Sequence, residues 1–402
     1  MSIKKTSDTQ ATQELVIQVI ERGVVEIIEK DHLLEALRGG KKLRVKFGID
    51  PTAPDIHLGH TIPLWKLRHF QELGHTAVII IGDYTASIGD PSGKDTTRHS
   101  LSLKEIKNNS ALYKNQILKI LKKDQTELHF QSEWFNKFRL KDILELTSRL
   151  SVSYLLSHET FRKRLENERP FMAHEMLYPL LQGYDSVMVK ADVEVGASEQ
   201  KFNILTGRVL QKQAGMEPQD VVLTPYLIGT DGAQKMSKSL GNYIGLSEEP
   251  NSMYGKLMSI PDALVRDYFT YLTELSKEEI QNLVEGGNPR ATKALLAHII
   301  TEFYWGKKDA DEAAEEFDRV FAQHQIPSDI PAITISKKEI NIMDFLVALN
   351  LVPSKSEAKR MVEQRAVFIN DEIIEDWRQT ITPSDGSVVR VGRRKFARVR
   401  IK

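Results

Sequence analysis

The sequence predicts an α/β fold built on a parallel sheet, followed by an all-helical stretch and a small basic α+β module. Three stretches carry this prediction. Val45, Phe47 and Ile49 alternate with Lys46, Gly48 and Asp50, a short strand that Pro51 and Pro54 stop before a helix bearing Leu64, Leu67 and Phe70 and ending at Gly74. Thr76 to Gly82 is nearly all apolar, as expected of a parallel strand covered on both faces. Asp192 to Gly196 reads as another strand, and GASEQKFN at Gly196 to Asn203 turns it into a helix through Arg208.

The remaining elements follow in order. Residues 1 to about 12 are expected to be disordered. Glu14 to Glu29 carries an amphipathic helix pattern, and Asp31 is a candidate cap for a second short helix ending at Gly39-Gly40. Ser102 and Glu105 form a capping box opening a helix toward Leu121. From there to about Arg169 the pattern is mainly helical. His174 to Lys190 reads as a helix on which Tyr178, Gln182 and Asp185 share one face. Val221 to Ile228 is an apolar, strand-like run. Leu246 to about Ile335 reads as all helix, with a second capping box at Ser276 and Glu279 and a packed stripe at Leu295, Leu296, Ile299, Ile300 and Phe303. Pro327 to Ser336 looks like a linker. Beyond it, Ser354 caps a helix bearing Lys359 and Arg360, and AVFINDEII reads as strand, turn and strand with Asn370-Asp371 at the turn.

Composition sets the limits. The chain has 402 residues, enough for two or three domains, with 41% hydrophobic and 27% charged residues, the balance of an ordinary globular protein. It has no cysteine, which excludes disulfides and thiolate metal sites and fits a reducing cytoplasm. No apolar run approaches a membrane span, and Met1 to Gln13 is polar, unlike a signal peptide. The net charge of zero hides a basic end: VVRVGRRKFARVRIK holds seven basic residues from Arg390 on and no acid. Basic residues interleaved with strand formers and Phe396 suit a surface that tracks an RNA backbone, although a charge run is more often only a solvated face.

Two motifs carry chemistry. His57-Leu-Gly-His60 sits where a strand feeds a helix, the edge of a parallel sheet at which ligands bind. The free N–H groups of a first helical turn attract anions, Gly59 lets a flat ligand lie against the backbone, and two imidazoles can donate to phosphate oxygens. A metal reading is poorer, because no third and fourth ligands stand at a diagnostic spacing. Lys235-Met-Ser-Lys-Ser239 lies among Gly229, Gly232 and Gly241. Its two lysines and two serines, on a flexible loop, are suited to gripping a polyphosphate. Ser87 to Arg98 fails as a Walker loop, since Ile88 replaces the first glycine and Asp95 the magnesium-binding hydroxyl.

HLGH and KMSKS, in this order, resemble the two signatures of the class I aminoacyl-tRNA synthetases. GIDPT at Gly48 to Thr52, IGDPSGK at Ile88 to Lys94 and YPLLQGYD at Tyr178 to Asp185 narrow the resemblance to the tyrosyl-tRNA synthetase family, over nearly the whole chain. The resemblance implies a Rossmann-like catalytic domain over 1–230, split by a helical dimerisation insertion at about 122–170. The KMSKS loop would be 231–245, a helical tRNA-contacting domain 246–335, and a small RNA-binding domain 340–402. It implies His57 and His60 on the phosphates, Thr52, Lys94 and Arg98 at the leaving pyrophosphate, and Lys235 and Lys238 closing over it. Asp50, Gly59, Gly196, Glu199, Met236, Ser237 and Ser239 would complete the ATP site. For tyrosine it implies Asp185 at the phenol hydroxyl, Asp90, Tyr178 and Gln182 at the α-ammonium, and Lys46, Gly48, Asp50 and Gln200 around them. Lys355, Lys359, Arg360, Arg393, Arg394 and Lys395 are the candidates for tRNA. The implied partners are ATP with Mg2+ that has no dedicated protein cage, L-tyrosine, tRNA(Tyr) and a second copy of the chain, with no structural metal and no membrane.

Two departures from the family pattern stand out. Lys46 stands where many bacterial members have a tyrosine facing the substrate hydroxyl, as in the second bacterial branch. Gly196-Ala197-Ser198-Glu199 replaces glycine-glycine, Ser or Thr, and Asp, so Glu199 would hold the ribose and the backbone at Ala197 is expected to shift. Three alternatives stand beside this reading: a tryptophanyl-tRNA synthetase, a non-catalytic RNA-binding paralogue, and a generic nucleotidyltransferase. The YxxxQxxD pattern and the basic end argue against the first, and intact HLGH and KMSKS against the second. The third leaves the basic end unexplained.

Overall fold

The computed structural model describes residues 13–92, 102–170, 172–321, 331–336, 339–392 and 395–401. The chain divides into two compact units, Met1–Ala310 and Asp311–Lys402. Among the described residues, no helix is long and apolar enough to cross a membrane.

The first unit is built on a six-stranded sheet of β1 (Glu26–Ile28), β2 (Arg44–Ile49), β3 (Thr76–Ile81), β4 (Thr126–Phe130), β5 (Val193–Ala197) and β6 (Asp220–Thr224), in the spatial order β1-β6-β5-β2-β3-β4. All pairings are parallel except β1 with β6. From β2 the chain steps outward through β3 to β4; it then returns to β5, on the other side of β2, and steps outward again to β6. Adjacent β2 and β5 therefore flank the point where the winding reverses, and the crevice outside their carboxyl ends is where such a sheet binds ligands. β3 is buried along its whole length, which explains its unbroken apolar run.

Several elements differ from the sequence expectation. The helix expected over Glu14–Glu29 stops before Gly23, whose φ of +57° leaves helical space, and the β-branched residues beyond it include the antiparallel edge strand β1. Glu29, not Asp31, is the N-cap of the helix Lys30–Arg38. β4 interrupts the stretch read as mainly helical; every one of its residues is half-buried at a sheet edge, so its sequence TELHF lacks the apolar signature of a central strand. The long helical stretch contains Pro250–Met258, Val265–Leu272, Lys277–Gly286, Pro289–Trp305 and Lys307–Phe321, but Ala332–Ile335 is a strand, β7. Both capping boxes form: Glu105 N donates to Ser102 Oγ at 3.3 Å, and Glu279 N to Ser276 Oγ at 3.2 Å. In the predicted stripe Leu296 and Ile300 are buried, whereas Leu295 and Phe303 are exposed. The expected disorder before residue 13 lies outside the described residues, as do residues 327–330 of the expected linker.

The second unit adds β8 (Ile340–Asn341), β9 (Val367–Ile369), β10 (Glu372–Ile373), β11 (Thr380–Ile381), β12 (Val388–Val391) and β13 (Lys395–Ile401). Its main sheet has the order β10-β9-β12-β13-β7, with β7 parallel to β13, and β8 pairs with β11. The helices Ile342–Ala348 and Lys355–Glu363 contribute Phe345, Leu346 and Val362 to a core shared with Val367, Val389 and Val399. The turn between β9 and β10 holds Asn370 and Asp371 at φ 49° and 66°, left-handed values that the tightest hairpin turn requires.

Candidate active site

A cavity of about 830 Å3 opens at the carboxyl ends of β2 and β5. Of the site residues expected from the sequence, Gly48, Asp50, Thr52, His57, Gly59, His60, Asp90, Tyr178, Gln182, Asp185, Gly196, Glu199, Gln200 and the whole of Lys235–Ser239 line it. Lys46 does not line it, and Lys94 and Arg98 lie outside the described residues.

The histidine motif opens the helix Leu58–Glu72, with His57 as the extended N-cap. The two imidazoles stack with centroids 3.7 Å apart. The His57 N–H donates to His60 Nδ1 at 3.4 Å, so the His60 proton resides on Nε2. Burial, reinforced by Lys238 and Lys235, pushes His57 down to about 3, and burial together with His57 holds His60 well below its ordinary value. Both rings are therefore neutral hydrogen-bonding groups rather than cations. His57 Nδ1 is buried without a hydrogen-bond partner. Pro63 lies inside this helix and lacks an N–H, which leaves the Gly59 carbonyl without its usual helical donor beside the cavity.

The lysine loop is stitched to this motif by backbone pairing. Leu58 N donates to the Ile244 carbonyl at 2.9 Å, and Leu246 N to the Ile56 carbonyl at 2.8 Å. Met236, buried, donates its N–H to the Leu227 carbonyl at 2.7 Å. Ser237 N donates to Asn242 Oδ1 at 2.8 Å. Lys238 Nζ donates to the Asp55 carbonyl, and burial lowers its pKa. Lys235 pairs with Glu199, so the carboxylate expected at the ribose faces a signature lysine. Ala197 stays within β5 at φ −66°, in parallel register with Thr224, so the expected shift leaves no irregularity in the strand.

Asp50, directly after β2, is the hub of a second cluster. Its Oδ1 accepts from Thr85 Oγ1 at 2.7 Å and its Oδ2 from the Tyr178 hydroxyl at 2.8 Å. Asp90 Oδ2 accepts from Gln200 Nε2 at 2.7 Å. Asp185 is 1% exposed; Gln131 Nε2 donates to one of its oxygens at 2.8 Å and Trp134 Nε1 to the other at 3.2 Å. Burial pushes its carboxyl up to about 8, opposed by Lys46 and by Gln131.

Thr85, Gln131 and Trp134 escaped the sequence reading. The available signal was position: Gln131 immediately follows β4, at the same edge of the sheet as Asp50 and Gly196. Gly82, directly after β3, was missed too, although a Cβ there would meet Asp50 Oδ1 at 2.1 Å. Lys46 is fully buried behind the cavity wall and pairs at 3.0 Å with Glu194, which does line the cavity. Among the described residues no group of three or more His, Asp or Glu side chains could hold a metal ion. In the second unit, Lys355 pairs with Asp344, Lys359 with Glu363 and Arg360 with Glu357, and Lys395 begins β13; Arg393 and Arg394 lie outside the described residues.

A doubly wound parallel sheet with paired histidines at a helix start and a lysine loop stitched to them defines a class I tRNA synthetase. The family model for tRNA synthetases class I (W and Y) matches residues 38–322, and one for the tyrosine–tRNA ligase SYY-like C-terminal domain matches 322–399. The tyrosine–tRNA ligase of Thermotoga maritima is 45% identical over 393 residues, covering 96% of this chain and 98% of the relative. That of Moorella thermoacetica is 46% identical over 392 residues, 95% of each chain. The chain belongs to the tyrosine–tRNA ligase family. Solved structures share the fold: a C-terminally truncated mitochondrial tyrosyl-tRNA synthetase of Aspergillus nidulans superposes with TM-score 0.66 at 24% identity, over 80% of this chain and all of that one. A tyrosyl-tRNA synthetase of Archaeoglobus fulgidus complexed with L-tyrosine gives 0.60 at 21% identity, over 75% of this chain and 99% of that one.

Proposed function

We propose that this cavity joins L-tyrosine to ATP and then passes the tyrosyl group to the terminal adenosine of tRNA(Tyr), with the following division of labour. In the first step a tyrosine carboxylate oxygen attacks the α-phosphorus, the bond to the β-phosphate oxygen breaks, and pyrophosphate leaves. The attacking group is already an anion, so the protein needs neither a nucleophile nor a strong base. Its task is to position the reactants and stabilise charge at phosphorus. His57 and His60, neutral donors at a helix N-terminus, serve the phosphates. Thr52, Lys94, Arg98, Lys235 and Lys238 serve the departing pyrophosphate, and Gly59, Gly196, Glu199, Met236, Ser237 and Ser239 complete the nucleotide site. ATP enters as its magnesium complex.

Tyr178, Gln182, Asp90 and Gln200, with Asp50 and Gly48, serve the amino-acid end of tyrosine, and Asp185 serves its hydroxyl. The observation that carries this reading is the single cavity lined both by the histidine and lysine signatures and by a buried carboxyl held by two donors. Lys355, Lys359, Arg360, Arg393, Arg394 and Lys395 of the C-terminal module serve the tRNA backbone; the three on the helix Lys355–Glu363 would exchange acidic neighbours for phosphate. The proposed division is a catalytic region 1–230, a signature loop 231–245, a helical region 246–335 and a basic module 340–402. A homodimer belongs to the same proposal. Among the described residues the three most exposed large apolar side chains fall in one stretch, Leu140 at 74% and Leu144 and Val152 at 61%, a composition suited to burial against a second copy. So does a cytoplasmic location, the compartment of tRNA charging.

The test is amino-acid-dependent ATP–pyrophosphate exchange with tyrosine, phenylalanine and tryptophan in parallel. Exchange with tyrosine alone is expected. Exchange with tryptophan instead would overturn the assignment of Asp185.

A further inference from the structure

We infer that Lys46 and Glu194 form a buried positioning pair beneath the tyrosine pocket, which fixes the helix Tyr178–Met188 on the sheet and thereby aims Gln182 and Asp185. The inference rests on the tyrosine pocket proposed above, and it gives Lys46 a different task from substrate contact.

The geometry is specific. Lys46 and Glu194 face each other in register on the neighbouring strands β2 and β5. Their side chains are 0% and 1% exposed and meet at 3.0 Å. Lys46 Nζ also donates to the Gln182 carbonyl at 2.9 Å and to Ser186 Oγ at 2.7 Å. Two of the ammonium's three hydrogens go to those hydrogen bonds and its charge is met by the Glu194 carboxylate, so the group is engaged by the protein rather than offered to a substrate hydroxyl. Two of the partners belong to the helix that also carries Tyr178 and Asp185. Glu194 is equally engaged: Ser186 Oγ donates to Oε2 at 3.1 Å, Gln219 Nε2 donates to the same oxygen, and Gln182 Nε2 reaches Oε1 at 3.4 Å. Glu194, unlike Lys46, lines the cavity.

Stability alone is a poor reason for such a pair. Two charges withdrawn from water are often matched or bettered by apolar residues of similar volume. What an apolar pair cannot do is fix the helix at Gln182 and Ser186 by directional bonds, or supply a cation near Asp185. The charged groups acting on that carboxyl are Lys46 from β2 and Glu194 from β5, while Gln131 and Trp134 donate to it from beyond β4. Removing Lys46 leaves two buried carboxyls without their cation.

The experiment compares Lys46→Met, Glu194→Gln and the double variant by pyrophosphate exchange. It reads KM for tyrosine, KM for ATP and the ratio of kcat/KM for tyrosine over phenylalanine. Each single variant is expected to raise the tyrosine KM about tenfold, with the ATP KM within about twofold of the parent. The double variant removes both charges, is expected to fold as the parent does, and should keep the raised tyrosine KM. It decides the question alone if the single variants fold too poorly to assay. A double variant with parental tyrosine KM and parental discrimination overturns the inference, as does an equal rise in both KM values. Asp185→Asn runs alongside. If it loses discrimination while the double variant keeps both the parental tyrosine KM and parental discrimination, only the pair is refuted; if Asp185→Asn keeps parental discrimination, the pocket assignment fails and the inference with it.

Discussion

Replacing Gly82 with alanine puts a methyl group into the hydrogen-bonded triangle that holds Asp50. The added Cβ would lie 2.1 Å from Asp50 Oδ1 and 2.2 Å from Thr85 Oγ1. To reach even 3.0 Å, which real Cβ atoms essentially never undercut, each oxygen has to retreat by roughly 1 Å. Those atoms are not free to do so. They bond each other at 2.7 Å, and the other Asp50 oxygen accepts from Tyr178 at 2.8 Å. Losing two such bonds costs about 1 kcal/mol each. Overpacking adds about 1 to 3 kcal/mol to the folded state. If only the two bonds are felt at the tyrosine site, kcat/KM for tyrosine falls by a factor of roughly 30. The assay is pyrophosphate exchange at varied tyrosine, with thermal unfolding in parallel. Gly255→Ala is the control, since that glycine lies within the helix Pro250–Met258 and a Cβ there meets nothing within 4 Å. It should leave activity unchanged and stabilise by roughly 0.5 to 1 kcal/mol. Parental kcat/KM for tyrosine in a folded Gly82→Ala variant would refute the argument that Asp50 must stay where Thr85 and Tyr178 hold it.

Three further outcomes follow from the same geometry. Folded Asp185 keeps its proton up to about 8, whereas the unfolded chain sheds it above the ordinary 3.8, so this group's contribution to stability falls as pH rises between those values. Asp185→Asn removes that slope; urea unfolding at both ends of the window checks it, and a stability difference from the parent that does not change with pH contradicts it. Because His57 and His60 are both held neutral, neither should contribute an ionisation to the pH–rate profile near 6.5, and an inflection there that vanishes in His60→Asn would contradict the assignment. Lys238→Ala should lower kcat on the order of a hundredfold, with the tyrosine KM within about twofold of the parent, since its charge acts on the leaving group; parental kcat would remove Lys238 from that role.

Much of the site was legible because its signatures are local. HLGH lies within one strand-to-helix turn, and a turn of that kind presents free N–H groups whatever surrounds it. The face shared by Tyr178, Gln182 and Asp185 follows from helical spacing, and all three line the cavity. The capping boxes and the Asn370-Asp371 turn are likewise settled within four residues of chain. Edge strands were harder to read. β1, β4 and β7 are short or half-exposed, so their composition carries little of the pattern that marks β3.

By itself the sequence determined the parallel α/β class and the position of the two signatures, because those depend on backbone preferences over a few neighbouring residues, and its family resemblance named most of the polar side chains that line the cavity. Only the tertiary structure decided what Lys46 does. Its character as a cation was plain, but its partners Gln182, Ser186 and Glu194 lie well over a hundred residues along the chain and meet it only when β5 docks beside β2. The same holds for Gln131 and Trp134 on Asp185 and for the space denied to a side chain at Gly82. Each is fixed by a contact between distant segments, and in a buried setting such contacts determine whether a polar group points at a ligand or at the protein itself.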